Sequence, residues 1–173
     1  MAAAALLTAL AAACGPPGGD TPPSQMAQDF LDAQNAVRDS AQPPPSPSLP
    51  HLTWSNHAAS VAEAWAKGCA YGHNADRGHL GENIAAGSPA GSQTPADVVG
   101  LWSGEAENYD YAANACNGDC LHYTQLVWRA TVAVGCAKAT CAGPTSPFSN
   151  GQSWDFWVCD YDPPGNVAGQ KPY

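Results

Sequence analysis

A chain of 173 residues is long enough for one ordinary domain with a real core, and its 6 basic against 15 acidic side chains leave a formal charge of −9. No cluster of Lys or Arg breaks that balance, which argues against nucleic acid and against anionic membrane surfaces as partners. Only 12% of residues are charged while 17 are Gly and 16 are Pro, the profile of a loop-rich globular protein instead of a disordered acidic tail.

Residues Met1 to Cys14 read MAAAALLTALAAAC, too short to span a bilayer and suited to the core of a signal peptide, so export is expected. Ala11, Ala12 and Ala13 before Cys14 also fit a degenerate bacterial lipoprotein site, in which lipidation of Cys14 would be the chain's sole tie to a membrane. Residues 1–14 are therefore a signal peptide or a lipoprotein signal. Residues 15–23, GPPGGDTPP, form a Pro/Gly linker, and the folded domain is expected over 24–173.

Met26, Phe30, Ala33 and Val37 recur at helical spacing, with Asp29, Asp32, Arg38 and Asp39 largely on other faces, until the Pro-rich stretch from Gln42 to Pro50. A second helix follows Trp54, with Ser55 as N-cap and Ala58, Val61, Ala62, Trp65 and Cys69 along one apolar stripe. Thr94-Pro95 opens a third, which carries Val98, Leu101 and Trp102 inward. Glu105 lies three residues after Trp102 and seven after Val98, on the buried stripe, whereas Glu107 does not. His122 to Trp128 forms a short helix. Ala130 to Ala137 and Trp154 to Tyr161 are rich in β-branched or aromatic residues and read as two antiparallel strands. The class is α+β, a small antiparallel sheet covered by helices.

Seven cysteines leave Cys14 as the odd one. Cys69, Cys116, Cys120, Cys136, Cys141 and Cys159 contain no CxxC pair, so disulfides in an oxidising compartment are expected over a thiolate metal site. Apart from the core pattern stand His73, in YGHNADRGHLGENIA, then Glu82, Glu105 and His122. Acidic and imidazole groups are costly to bury alone, which suggests that these meet in a cleft. Two imidazoles and two carboxylates can hold zinc together, or the carboxylates can orient the imidazoles from behind.

The segments HYTQLVW (122–128), GENIA (81–85), WSGEAENYDYAANAC (102–116) and WVCDYDPPGNVAGQKPY (157–173) resemble the signatures of the CAP superfamily, the cysteine-rich secretory, antigen 5 and pathogenesis-related group-one proteins. They are most similar to the plant group-one proteins and to bacterial proteins of the same type. The resemblance implies an α-β-α sandwich and a cleft lined by His73, Glu82, Glu105 and His122 that takes zinc or another divalent cation. It also implies the pairs Cys69 to Cys141, Cys116 to Cys120 and Cys136 to Cys159. A secreted monomer with a defence or extracellular interaction role and a small hydrophobic or sterol-like ligand would follow. Two alternatives remain: a metal-dependent extracellular peptidase or esterase with Glu82 or Glu105 as base, and a precursor releasing Pro163 to Tyr173 as a peptide. Serine catalysis lacks a nucleophile elbow. The chain departs from the family pattern at Leu121 (commonly Gly), Gln34 (often His) and Asp160 (usually Asn), while His51, His57 and His79 match no functional position and take surface or packing roles.

Overall fold

The computed structural model describes residues 19–173; the signal segment and Cys14 lie outside them. Among the described residues no helix is long and apolar enough to cross a membrane. Asp20, within the expected linker, already pairs with the folded body, its N–H donating to Trp54 O at 2.9 Å.

Helix α1 (Gln25–Asp39) starts at Ser24, whose hydroxyl accepts from Ala27 N–H. Its buried row is Ala27, Phe30, Gln34 and Arg38, while Met26, Ala33 and Val37 sit at the margin, so the inward face is rotated from the apolar pattern. Arg38, expected on an outer face, is 1% exposed. Its guanidinium donates to the carbonyls of Pro50 (2.8 Å), Leu126 (2.8 Å), Trp128 (2.9 Å) and Thr131 (3.2 Å), and those bonds offset its burial. Burial pulls its pKa down to about 10, which leaves it charged at neutral pH.

Helix α2 (Asn56–Ala66) is capped by Ser55 and buries only Ala58, Ala62 and Ala66. Small residues let it lie close on the sheet, where a Cβ on Gly135 would overlap its first-turn backbone. Trp65 and Val61, expected in the core, are half-buried, and Trp65 Nε1–H donates to Gly72 O at 2.8 Å. Helix α3 (Pro95–Gly104) opens on a capping box between Thr94 and Asp97. It buries Val98, Val99 and Trp102; Leu101, expected inward, is 55% exposed because Val99 takes its place on the inner face. Helix α4 (Leu121–Leu126) is the short helix expected after the cysteine loop.

Six strands follow in chain order: β1 (Thr53–Trp54), β2 (Gly81–Gly87), β3 (Tyr109–Asp110), β4 (Ala115–Cys116), β5 (Ala133–Cys141) and β6 (Trp154–Asp162). The main sheet runs β1-β5-β6-β2, antiparallel except where β1 joins β5, and β3 and β4 form a separate ribbon. Helix α2 covers one face of the sheet, over Ile84, Ala137, Phe156 and Val158. Helices α1, α3 and α4 cover the other, over Ala85, Val134, Trp157 and Tyr161. The result is the α-β-α sandwich.

All three implied disulfides are present: Cys69–Cys141, Cys116–Cys120 and Cys136–Cys159. The first spans 72 positions and, in the chain-entropy account, stabilises by about 4 kcal/mol. The tail beyond Asp162 folds back. Gly165 N–H donates to Gln125 Oε1 (2.9 Å), Thr124 Oγ1 bonds Asn166 Oδ1 (2.7 Å) and Arg129 N–H donates to Pro172 O (2.7 Å). Tyr173 stacks on Tyr111 with ring centroids 4.8 Å apart.

Two outcomes are expected. Alkylation of the unreduced domain leaves Cys69, Cys116, Cys120, Cys136, Cys141 and Cys159 unlabelled by mass spectrometry, and labelling at Cys69 or Cys141 would contradict the framework. Deleting residues 163–173 removes several buried or semi-buried hydrogen bonds and costs on the order of 2–3 kcal/mol, a Tm fall of roughly 5–10 °C.

Candidate functional site

Strand β2 is an edge strand, yet six of its seven residues are buried, because loops and α4 wrap it. Three consecutive residues of this strand build the site. Glu82 faces the α2 side of the sheet. Its Oε1 accepts from Asn74 N–H at 2.9 Å and lies 2.7 Å from His73 Nδ1, the ring being supplied by the loop that follows α2. Asn83 faces the other side, where its Nδ2–H donates to His122 O (3.1 Å) and Tyr161 Oη (3.3 Å). Ile84 O accepts from Trp102 Nε1–H at 3.0 Å, and the Trp102 ring stacks on the His122 imidazole, centroids 6.1 Å apart.

Glu105 ends α3 and points at the start of α4. Its Oε1 is 2.6 Å from His122 Nδ1, and its Oε2 accepts from the N–H groups of His122 (3.0 Å) and Tyr123 (3.3 Å). Cys120, at the N-cap, offers no side-chain bond, so Glu105 caps the helix from another element and fixes the imidazole with the same carboxylate. Both rings thus present Nδ1 to a carboxylate, which can only accept. Nδ1 therefore carries a proton, and in the neutral tautomer that this selects, the Nε2 lone pair is left for a partner.

His73, Glu82 and His122 line one cleft of about 630 Å³, together with Arg77, Asn83, Leu121, Gln125 and Asn166. Glu105 stands behind His122, outside the lining. The four expected residues form two His–carboxylate pairs in place of one four-ligand cluster; among the described residues no group of three or more His, Cys, Asp or Glu side chains is placed to hold a metal ion. The carboxylates spend themselves on imidazole and backbone N–H groups. His51, exposed, pairs with exposed Asp39 at 2.8 Å, and His57 and His79 are exposed, in the surface roles expected of them.

Sequence reasoning missed Asn83 and Gln125, the polar side chains that tie the cleft floor together. A signal was present, since both are uncharged polar residues within apolar runs, where burial demands hydrogen-bond partners.

A disulfide-stapled helix-sheet-helix sandwich with two carboxylate-held histidines at the edge of its sheet defines a recognisable class of extracellular-type domain. The chain belongs to the cysteine-rich secretory protein (CAP) family, whose model matches residues 31–161. Pathogenesis-related protein 1 of Arabidopsis thaliana is 40% identical over 150 residues, covering 84% of this chain and 81% of that protein. Peptidase inhibitor 16 of Mus musculus is 38% identical over 148 residues, 84% of this chain but only 29% of that longer protein, so the chain spans under a third of this relative's length. Among solved structures, Schistosoma mansoni venom allergen-like protein 4 superposes with a TM-score of 0.70 at 28% identity, covering 87% of this chain and 94% of that one. A crystal structure of NaASP2 with Zn2+ gives 0.66 at 28% identity, covering 90% of each chain.

Replacing Glu105 by Ala removes the acceptor for two α4 N–H groups and for His122, and is expected to cost about 1–2 kcal/mol. Urea unfolding reads this as a lower midpoint at unchanged slope, and an unchanged midpoint would mean that the cap is dispensable.

Proposed function

We propose that this chain is an extracellular binding protein whose cleft takes a divalent cation, zinc first, through the Nε2 atoms of His73 and His122. The observation that carries the reading is the pair of imidazoles on one cleft, each held through Nδ1 by a carboxylate. This is the arrangement that raises imidazole basicity and orients Nε2 toward a metal. Glu82 and Glu105 serve as orienting partners, and water would complete the coordination. Such a cation would supply a positive charge and Lewis acidity to anything entering the cleft. The Zn2+ of the NaASP2 crystal structure supports the choice of metal.

The second half of the reading is a small hydrophobic or sterol-like ligand at the surface. Leu121, 62% exposed at the cleft rim, and Val167, 43% exposed on the neighbouring tail, support it, because apolar side chains beside a polar cleft suit an amphiphile. A defence or interaction role outside the cell fits the secretory family and the three disulfides. The hydrolase alternative asks for a carboxylate free to take a proton from water. Glu105 spends both oxygens on His122 and Tyr123, and the Glu82 side chain has no solvent exposure. The peptide-precursor alternative asks for a loose tail, and this one is bonded to α4 and to the segment after it.

A protonated imidazole has no lone pair for a metal, so zinc affinity is expected to be highest at neutral pH and to fall in acid. Isothermal titration with zinc checks this. The double variant His73→Ala with His122→Ala is expected to lose at least tenfold in affinity, and undiminished binding would move the metal elsewhere.

A further inference from the structure

Behind Glu82 lies a second carboxylate that the site as described does not use. Register pairs Glu82 of β2 with Asp160 of β6, and Asp160 with Gly135 of β5, so the three stand in one row on the face covered by α2. Asp160 is fully buried, and neither of its oxygens has a hydrogen-bond partner. Glu82 Oε2 is likewise buried and unpartnered, while Glu82 Oε1 is committed to His73 and Asn74. Two buried carboxylates side by side cannot both stay ionised without partners. Arg77 does not resolve the conflict: it donates to the carbonyls of Leu80 and Asn74, and no hydrogen bond reaches Glu82 Oε2 or either oxygen of Asp160.

One proton does. We infer that Asp160 is held as the neutral acid and donates its O–H to Glu82 Oε2, forming a chain Asp160–Glu82–His73 in which Asp160 is a positioning residue for the imidazole. The proton belongs on Asp160 because neither of its oxygens receives a hydrogen bond, whereas Glu82 Oε1 already accepts an N–H from the backbone and one from imidazole. Burial first, and then the charge of Glu82, push the Asp160 pKa up to about 8, with Arg77 opposing. The surroundings add no other charge. Gly135 contributes no side chain, α2 turns His57 and Glu63 to solvent, and Tyr161, next on the strand, faces the opposite layer. An Asn at this position, usual in the family pattern, would give the same donor without a titration. The inference stands independently of metal binding, since it concerns the support of His73 and not what His73 holds.

The linkage sign follows. An Asp raised above its unfolded value of about 3.9 keeps its proton when folded and loses it when unfolded, so it subtracts stability as pH rises from about 4 to about 8, and nothing further above that. Asp160→Asn is therefore expected to raise Tm by an increment that grows between pH 4 and pH 8 and is constant beyond. Infrared spectra of the unsubstituted protein should show a protonated carboxyl band at pH 6 that disappears by pH 10. His73 serves as the third readout, because Asp160→Ala should shift its Nδ1 resonance and leave that of His122 in place, with Asp160→Asn restoring it. No protonated carboxyl at pH 6, an Asp160→Asn increment independent of pH, or a His73 resonance indifferent to Asp160→Ala would each overturn the inference.

Discussion

The guanidinium of Arg38 is the interaction on which the rest of the arrangement hangs. It is buried beneath α1 and donates to four backbone carbonyls that are distant in sequence: Pro50, where the Pro-rich loop returns, and Leu126, Trp128 and Thr131, where the chain leaves α4 for β5. Loops carry unsatisfied carbonyls that normally seek water, and here a fixed cation replaces the water. Without it, the carbonyls at the exit of α4 would lose the donor that ties them to α1 and to the Pro-rich loop. The first turn of α4 is held by Glu105 at its N–H groups and by Asn83 at the His122 carbonyl, so a helix of six residues, too short to persist alone, is fastened at both ends.

That fastening matters because α4 carries His122, and β2 carries groups that support both histidines, one at its ring and the other at its backbone. A strand exposes successive side chains to opposite faces. Glu82 consequently reaches His73 on the α2 side and Asn83 reaches His122 on the α3 and α4 side, while the Ile84 carbonyl holds Trp102 against the second ring. A one-residue slip of β2 against β6 would exchange these faces and dismantle both supports together. The register is specified by burial, since β2 is covered on both faces and a slip would put each side chain in the wrong layer.

Much of this was legible in the chain and some could not be. The first helix was marked by its apolar spacing and the next two by Ser55 and Thr94 at their starts, and the placement of Glu105 inward followed from its distance to Trp102 and Val98. The GENIA segment did not read as a strand, because a strand buried on both faces shows no alternation. Arg38 read as a surface residue, since periodicity assigns charge outward and knows nothing of the four carbonyls that tertiary structure gathers. Leu101 was misplaced for the converse reason, an apolar residue beside a wider apolar face than the packing uses. His73 could not be tied to Glu82 by spacing at all; the resemblance placed both in one cleft without pairing them, and it set Asp160 apart as a departure.

The two histidine supports differ in a way that bears on what the cleft can do. Glu105 is 16% exposed and answers to helix backbone, so its pair with His122 is anchored by two N–H groups and is insensitive to what lies deeper. Glu82 has no exposure and backs onto Asp160, so its pair with His73 feels the protonation of the core, while the His73 ring itself is 55% exposed. One imidazole is therefore partly covered and anchored at helix backbone, the other open to solvent and tethered from within. A cation or ligand entering between them would meet a ring held by helix backbone on the α4 side and a solvent-open ring backed by buried carboxylates on the loop side.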